Sequence, residues 1–160
     1  REAREELQRV KREQGPGRGH GYATSLADEE LTDYFHHTIF PNITITGTPL
    51  GGQMHIFRTE PDLSDPNKCI FEYMTLAPRI EGVDELETVA GTRKFEEAAL
   101  EHLTYGVDEV GDFVDQDLGV AVFQQKGLKS RGYSDAFLSE QEARVRRFHE
   151  VLNDYLEGRR

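Results

Sequence analysis

Three runs dense in aromatic and β-branched residues, set apart by segments of turn formers, constrain this chain more than any other feature. Phe35-His36-His37-Thr38-Ile39-Phe40-Pro41-Asn42-Ile43-Thr44-Ile45-Thr46 alternates as a half-buried strand does. Pro41 cannot donate to a ladder, which assigns this run an edge position or a bulge. Met54-His55-Ile56-Phe57-Arg58 forms a second run and Cys69-Ile70-Phe71-Glu72-Tyr73-Met74-Thr75-Leu76 a third. Gly47 to Gly52 reads as a hairpin-like turn, and Glu60 to Lys68, with Pro61, Pro66 and several Asp/Asn residues, as a loop. Parallel strands need long crossovers, so connections this short predict an antiparallel meander.

Helical periodicity brackets these strands. Ala3, Leu7 and Val10 make a thin apolar stripe in the charged segment from Arg1 to Gln14, which suits an exposed helix or the tail of a longer one. Gly15-Pro16-Gly17-Arg18-Gly19-His20-Gly21 lacks both a preceding strand and a closing Gly-Lys-Ser/Thr, so it reads as a flexible connector rather than a phosphate loop. A short helix starts near Ser25 or Asp28, with Glu29 and Glu30 in its first turn. Phe95, Ala98, Ala99 and Leu103 suggest another helix, which Tyr105-Gly106 breaks. The last helix has a capping box, Ser139-Glu140-Gln141-Glu142, a buried face of Val145, Phe148, Val151, Leu152, Tyr155 and Leu156, and a stop at Gly158. A sheet followed by a long C-terminal helix is an α+β arrangement. Two segments are expected: 1–21, a helix and Gly-rich connector, and 22–160, the main domain.

Composition narrows the function classes. The chain has 160 residues and a formal net charge of −11, one domain's worth of sequence. That charge argues against nucleic acid, whose phosphates need a basic patch, and against anionic membrane surfaces. Cys69 is the only cysteine, too few for an intrachain disulfide or for a [2Fe–2S] centre. There is no apolar run of the ~20 residues that a membrane span needs, and no signal peptide. A soluble cytoplasmic protein is expected. The sequence opens at Arg1 rather than methionine, which suggests a missing upstream portion.

The stretch from Val107 to Tyr133 carries the chemistry. Wound at ~100° per residue, it sets Val107, Val110, Val114, Leu118, Ala121 and Gln125 on one face, with Asp117 inside it and Asp112 and Asp115 toward water. A buried carboxylate needs compensation. Asp117 is therefore either an acid paired with an arginine or lysine, or a metal ligand or general base. Asp115-x-Asp117-x-Gly119 fails as a calcium loop, because Gly119 and Lys126 stand where oxygen ligands are required. No Gly-x-Ser-x-Gly or His-Glu-x-x-His occurs, and Ser130-Arg131-Gly132-Tyr133 reads as a helix exit.

The wording around that acid adds a resemblance. Gln116-Asp117-Leu118 followed by Gln125-x-Gly127-Leu128-x-Ser130 resembles the C-terminal signature of Rieske-type aromatic-ring-hydroxylating oxygenase large subunits. Tyr34 to Phe40-Pro41-Asn42 is similar to a strand of the same catalytic domain, and Phe148-His149 to the middle of its last helix. The likeness extends over about residues 22 to 157. It implies a helix-grip fold enclosing a substrate pocket. It also implies that Asp117 is the one carboxylate ligand of a mononuclear Fe(II), completed by two histidines. Phe40, Asn42, Ile56 and Phe71 are the pocket candidates. The six histidines, His20, His36, His37, His55, His102 and His149, contain no His-x-x-x-x-His pair, the form that the family's iron ligands take. His36 and His37, adjacent on a strand, point to opposite faces.

The resemblance thus implies part of an enzyme that passes electrons from a reductase or ferredoxin through a [2Fe–2S] cluster to iron. There O2 is activated to hydroxylate an aromatic or related organic substrate. The cluster, the two histidines and the remainder of the large subunit lie outside these residues, and the 160-residue chain is expected not to turn over substrate by itself. A trimeric or larger homo-oligomer is implied for the full enzyme. The alternative is a non-catalytic helix-grip module holding an apolar small molecule, or an accessory or assembly subunit.

Overall fold

The computed structural model describes residues 1–50, 53–88, 91–95 and 99–160. The chain divides into two compact units, 1–84 and 85–160.

The first unit opens with helix α1 (Glu2–Gln14), two 3-10 turns (Pro16–Arg18 and Gly21–Ser25) and a short helix α2 (Asp28–Thr32). α1 is not a free tail. Gln8 is buried on α2 and donates through Nε2 to the Asp28 carbonyl at 2.9 Å and to Thr32 Oγ1 at 3.1 Å. Lys11 Nζ donates to the Leu31 carbonyl at 2.7 Å, at the negative end of α2. Salt bridges Arg4–Asp33 (2.7 Å) and Arg12–Asp28 (2.9 Å) flank the contact. The expected stripe of Ala3, Leu7 and Val10 is therefore not the packed face, and Leu7 is exposed. The start of α2 is held by Glu30, whose carboxylate accepts the Ala27 N–H at 2.8 Å, rather than by Ser25 or Asp28.

The glycine-rich segment is a pair of packed turns, not a loose connector. His20 N–H donates to the Gly15 carbonyl at 2.9 Å. A Cβ on Gly15 would lie 2.6 Å from that of Ala23. Gly19 has φ +84° and its absent side chain makes room for Ile80. Ala23, Leu31 and Leu50, with Leu26 beside them, form a small core here.

The sheet follows as an antiparallel meander of four strands, β1 (Phe35–Ile39), β2 (Ile43–Gly47), β3 (Met54–Pro61) and β4 (Cys69–Leu76), in that order across the sheet. The first apolar run is two strands rather than one bulged strand. Phe40-Pro41-Asn42, with a cis peptide before Pro41, turns the chain so that Ile39 pairs with Ile43. A proline that cannot serve the ladder sits where the ladder ends. Gly51 and Gly52 of the expected second turn lie outside the described residues.

The second unit contains a hairpin of β5 (Glu85–Thr88) and β6 (Gly91–Lys94), helix α3 (Asp112–Leu128) and helix α4 (Ala143–Leu156). Ala98, of the expected helix at 95–103, lies outside the described residues, and 99–103 is not helical. α3 starts later than its periodicity predicts. Gly111 at φ +142° stands before it, and the Thr104 carbonyl accepts the N–H groups of Val107 and Asp108 in a separate turn. The expected capping box forms, Glu142 accepting the Ser139 N–H at 2.6 Å, which lowers the pKa of that carboxyl, but it opens a 3-10 turn (Glu140–Glu142) after which α4 starts at Ala143. That helix ends at Gly158, φ +69°. Of its predicted buried face, Phe148, Val151 and Leu152 are half-buried, while Val145, Tyr155 and Leu156 are exposed. Amphipathicity marks which side of a helix suits a partner; it does not supply the partner. Among the described residues no helix is long and apolar enough to cross a membrane.

Candidate functional site

Asp117 lies on α3, but not on its protected side. Val114 is 5% exposed, and Asp115, Leu118, Gly119, Val122 and Gln125 are half-buried, whereas Asp117 and Ala121 are exposed. The expectation of an inward Asp117 is therefore corrected. It assumed a helix from Val107, whose two valines, 107 and 110, widened the apolar face toward position 117. Both precede the helix, and the face that remains is rotated away. The acid that does turn in is Asp115. Its Oδ2 accepts the N–H groups of Val110 at 3.1 Å and Gly111 at 3.0 Å, satisfying donors at a helix start that would otherwise be orphaned.

The pocket candidates separate in the same way. Strand periodicity and register put His36, Thr38, Thr44, Thr46, His55, Phe57, Thr59, Phe71, Tyr73 and Thr75 on one face of the sheet. Phe35, His37, Ile39, Ile43, Ile45, Met54, Ile56, Ile70, Met74 and Leu76 lie on the other, with Arg58 bridged to Glu72 at 2.5 Å and to Glu60 at 3.1 Å. That pairing raises the Arg58 pKa and lowers that of Glu72. Ile56 and Phe71 therefore face opposite ways and cannot line one pocket. Phe40 is half-buried in the β1–β2 turn. Asn42 holds that turn to β3, its Nδ2 donating to the Thr59 carbonyl at 3.0 Å while its own carbonyl accepts the Thr59 N–H at 3.1 Å.

The first face carries a constellation that the sequence reading did not single out. The rings of Phe57, Phe71 and Tyr73 stack, with centroids 5.9 Å apart for Phe57–Phe71 and 5.3 Å for Phe57–Tyr73. His55, 5% exposed, extends the stack, 5.8 Å from Tyr73. Thr75 Oγ1 donates to Tyr73 Oη at 2.8 Å, and Tyr73 Oη meets His55 Nδ1 at 3.0 Å. Thr75 Oγ1 is 3.2 Å from the same nitrogen. Burial lowers the His55 pKa and raises that of Tyr73, so both stay neutral around pH 7. The ring tautomer sets whether Nδ1 of His55 accepts from Tyr73 Oη or donates to the Tyr73 and Thr75 hydroxyls. The signal was present in the alternation His55-x-Phe57 and Phe71-x-Tyr73-x-Thr75, which marks a shared face once register is known.

Iron does not fit this chain's own donors. A facial triad needs two imidazoles and a carboxylate converging. His36 and His37 diverge, His55 is engaged by Tyr73, and no three His, Cys, Asp or Glu side chains come together among the described residues.

An α+β domain with an aromatic sheet face and an acid-bearing helix is the class these features define. A family model described as "Ring hydroxylating alpha subunit (catalytic domain)" matches residues 5–158. The chain belongs to this family of helix-grip oxygenase domains, whose membership implies iron in the working enzyme. No curated protein and no solved structure matches it.

Proposed function

We propose that this chain is the catalytic portion of a Rieske-type non-haem iron oxygenase that hydroxylates an aromatic or related organic substrate with O2. The family match across residues 5–158 carries the reading. It is supported by Gln116-Asp117-Leu118 within α3 and Gln125-x-Gly127-Leu128-x-Ser130 at its end. In this reading Asp117 is the carboxylate ligand, and its exposure suits an acid that completes a site with histidines contributed from elsewhere in the enzyme. The [2Fe–2S] cluster, the reductase or ferredoxin, the trimeric assembly and a cytoplasmic location belong to the same proposal. We assign the substrate to the aromatic face, which of the four pocket candidates retains Phe71. This chain's contribution is to bind and orient the substrate and to exclude water from it.

The test is Asp117→Ala in the enzyme assembled with its full ligand set. Iron should fall from about one per catalytic domain to near zero and hydroxylation should be lost, with circular dichroism unchanged. Full iron and activity in that variant would remove Asp117 from the ligand set. A second reading, a binding module that needs no iron, is favoured by the divergence of the histidines. It predicts aromatic ligands held equally well by the Asp117→Ala protein, and no turnover in any assembly.

A further inference from the structure

No two of the chain's imidazoles come together as the ligands of one metal must. All six histidines lie among the described residues. His20 stands beside Tyr22, its Nδ1 3.3 Å from the hydroxyl and the two rings edge to face at 5.7 Å. His36 and His37 leave β1 on opposite faces. His55 is closed to solvent and its Nδ1 meets Tyr73 and Thr75. His102 is exposed in the non-helical stretch before Tyr105, and His149 lies edge-on to Phe148 in α4. α3 carries no histidine, so no imidazole stands a turn away from Asp117. What stands there is apolar: Phe113, Val114, Val120 and Ala121 are the four residues three or four positions from it. Phe113 is 57% and Val120 50% exposed, and Ala121 is exposed with them. Asp117 itself is exposed and makes no ion pair or hydrogen bond among the described residues. An uncompensated carboxylate thus sits in an apolar strip that water covers at a cost.

We infer that this chain has no iron site of its own, and that the metal and an imidazole-bearing segment of the enzyme bind to the Asp117 strip of α3 as one linked event. The inference rests on the oxygenase reading for the metal, and goes beyond it in making metal affinity a property of the docked state. Charge and donor count fix the occupant. Two neutral imidazoles holding a divalent cation supply the donors the chain lacks and the positive charge that Asp117 lacks. In water a single carboxylate holds such an ion weakly, because the solvent screens the pair. Docking over Phe113 and Val120 removes that water and strengthens the attraction. By linkage, whatever the ion adds to docking, docking adds to the affinity for the ion.

Two measurements that need no turnover test this. The full chain alone is titrated without oxygen with Fe(II), and with Co(II), whose visible bands report the ligand set. No saturable site tighter than about 1 mM should appear, and Asp117→Ala should change nothing. In the assembled enzyme, Phe113→Asp and Val120→Asp replace side chains that are not ligands. Each should speed iron loss to a chelator about tenfold. Leu63→Asp, which puts the same charge on a fully exposed side chain of the β3–β4 loop, should not. Circular dichroism of the chain alone should be unchanged in all three, since the positions are exposed. Stripping the iron should in turn speed hydrogen exchange across residues 113–121 by a similar factor. One Fe(II) held per chain at micromolar concentration would overturn the inference. So would iron loss no faster in the two α3 variants than in Leu63→Asp, or exchange indifferent to iron. Tight binding by the chain alone would leave the oxygenase reading intact, whereas iron kept by the assembled Asp117→Ala enzyme would remove its ligand whatever the chain alone does.

Discussion

At the scale of single residues, two acids two positions apart exchange the roles their spacing suggests. Asp115 is held by the amides of Val110 and Gly111, and Asp117 is left to solvent. Helical periodicity resolves a face to within a residue or two only if the helix start is known, and the start was set by Gly111 and the Thr104 turn rather than by apolar spacing. His55 shows the same limit on a strand. Its side of the sheet follows from alternation, but its burial and its link to Tyr73 do not. That burial has a pH consequence. The folded ring takes up a proton less readily than the ordinary value of 6.5, so below about pH 6.5 the unfolded chain binds a proton that the native chain refuses. Stability should therefore decline as the pH falls through this range and into the depressed pKa. Urea midpoints between about pH 7.5 and 5.5 should drop in the unaltered protein. They should drop less in His55→Phe, which retains the ring stack.

At the scale of elements, turns decide more than propensities. The first apolar run has strand composition from end to end, and only the turn at Phe40-Pro41-Asn42 makes it a hairpin. The three-residue break was readable as a proline in a strand; its geometry was not, because it depends on Asn42 bonding β3, far along the chain. The segment from Gly15 to Gly21 illustrates the reverse case, where flexible residues form a fixed structure. Gly19→Ala should destabilise the chain by about 1–3 kcal/mol, since the residue has φ +84° and its Cβ would meet Ile80 Cγ2 at 2.6 Å. Thermal melts would read this. Gly17→Ala, which meets no neighbour, is the matched control. Asp115→Ala should cost about 1 kcal/mol by removing the start of α3, and helical circular dichroism should melt earlier, whereas Asp117→Ala should leave that signal alone.

At the scale of the whole molecule, few apolar side chains among the described residues are buried within either unit. Ala23, Leu31, Leu50 and Val114 are the buried hydrophobic residues among those described, while Phe123 is 72% and Phe137 95% exposed. Family membership supplies the physical context, since a catalytic domain of a multi-part oxygenase has more than water to pack against. The chain should bind the dye ANS and, at tens of micromolar, sediment as a species heavier than its 18.2 kDa. A monomer that leaves the dye dark would show that these side chains are tolerated in water.

The antiparallel meander, the last two helices, the capping box of Ser139 and Glu142 and the family itself were legible in the residues; the split of the first apolar run into β1 and β2 and the β5–β6 hairpin were not. Each legible feature depends on local periodicity, on turn chemistry, or on a motif whose spacing survives in the linear chain. Which acid of α3 turns inward, that Ile56 and Phe71 back away from one another, and that Thr46 and His55 meet across β2 and β3 were decided only by folding. These are matters of register and of where an element begins, and they depend on partners brought together from distant parts of the sequence.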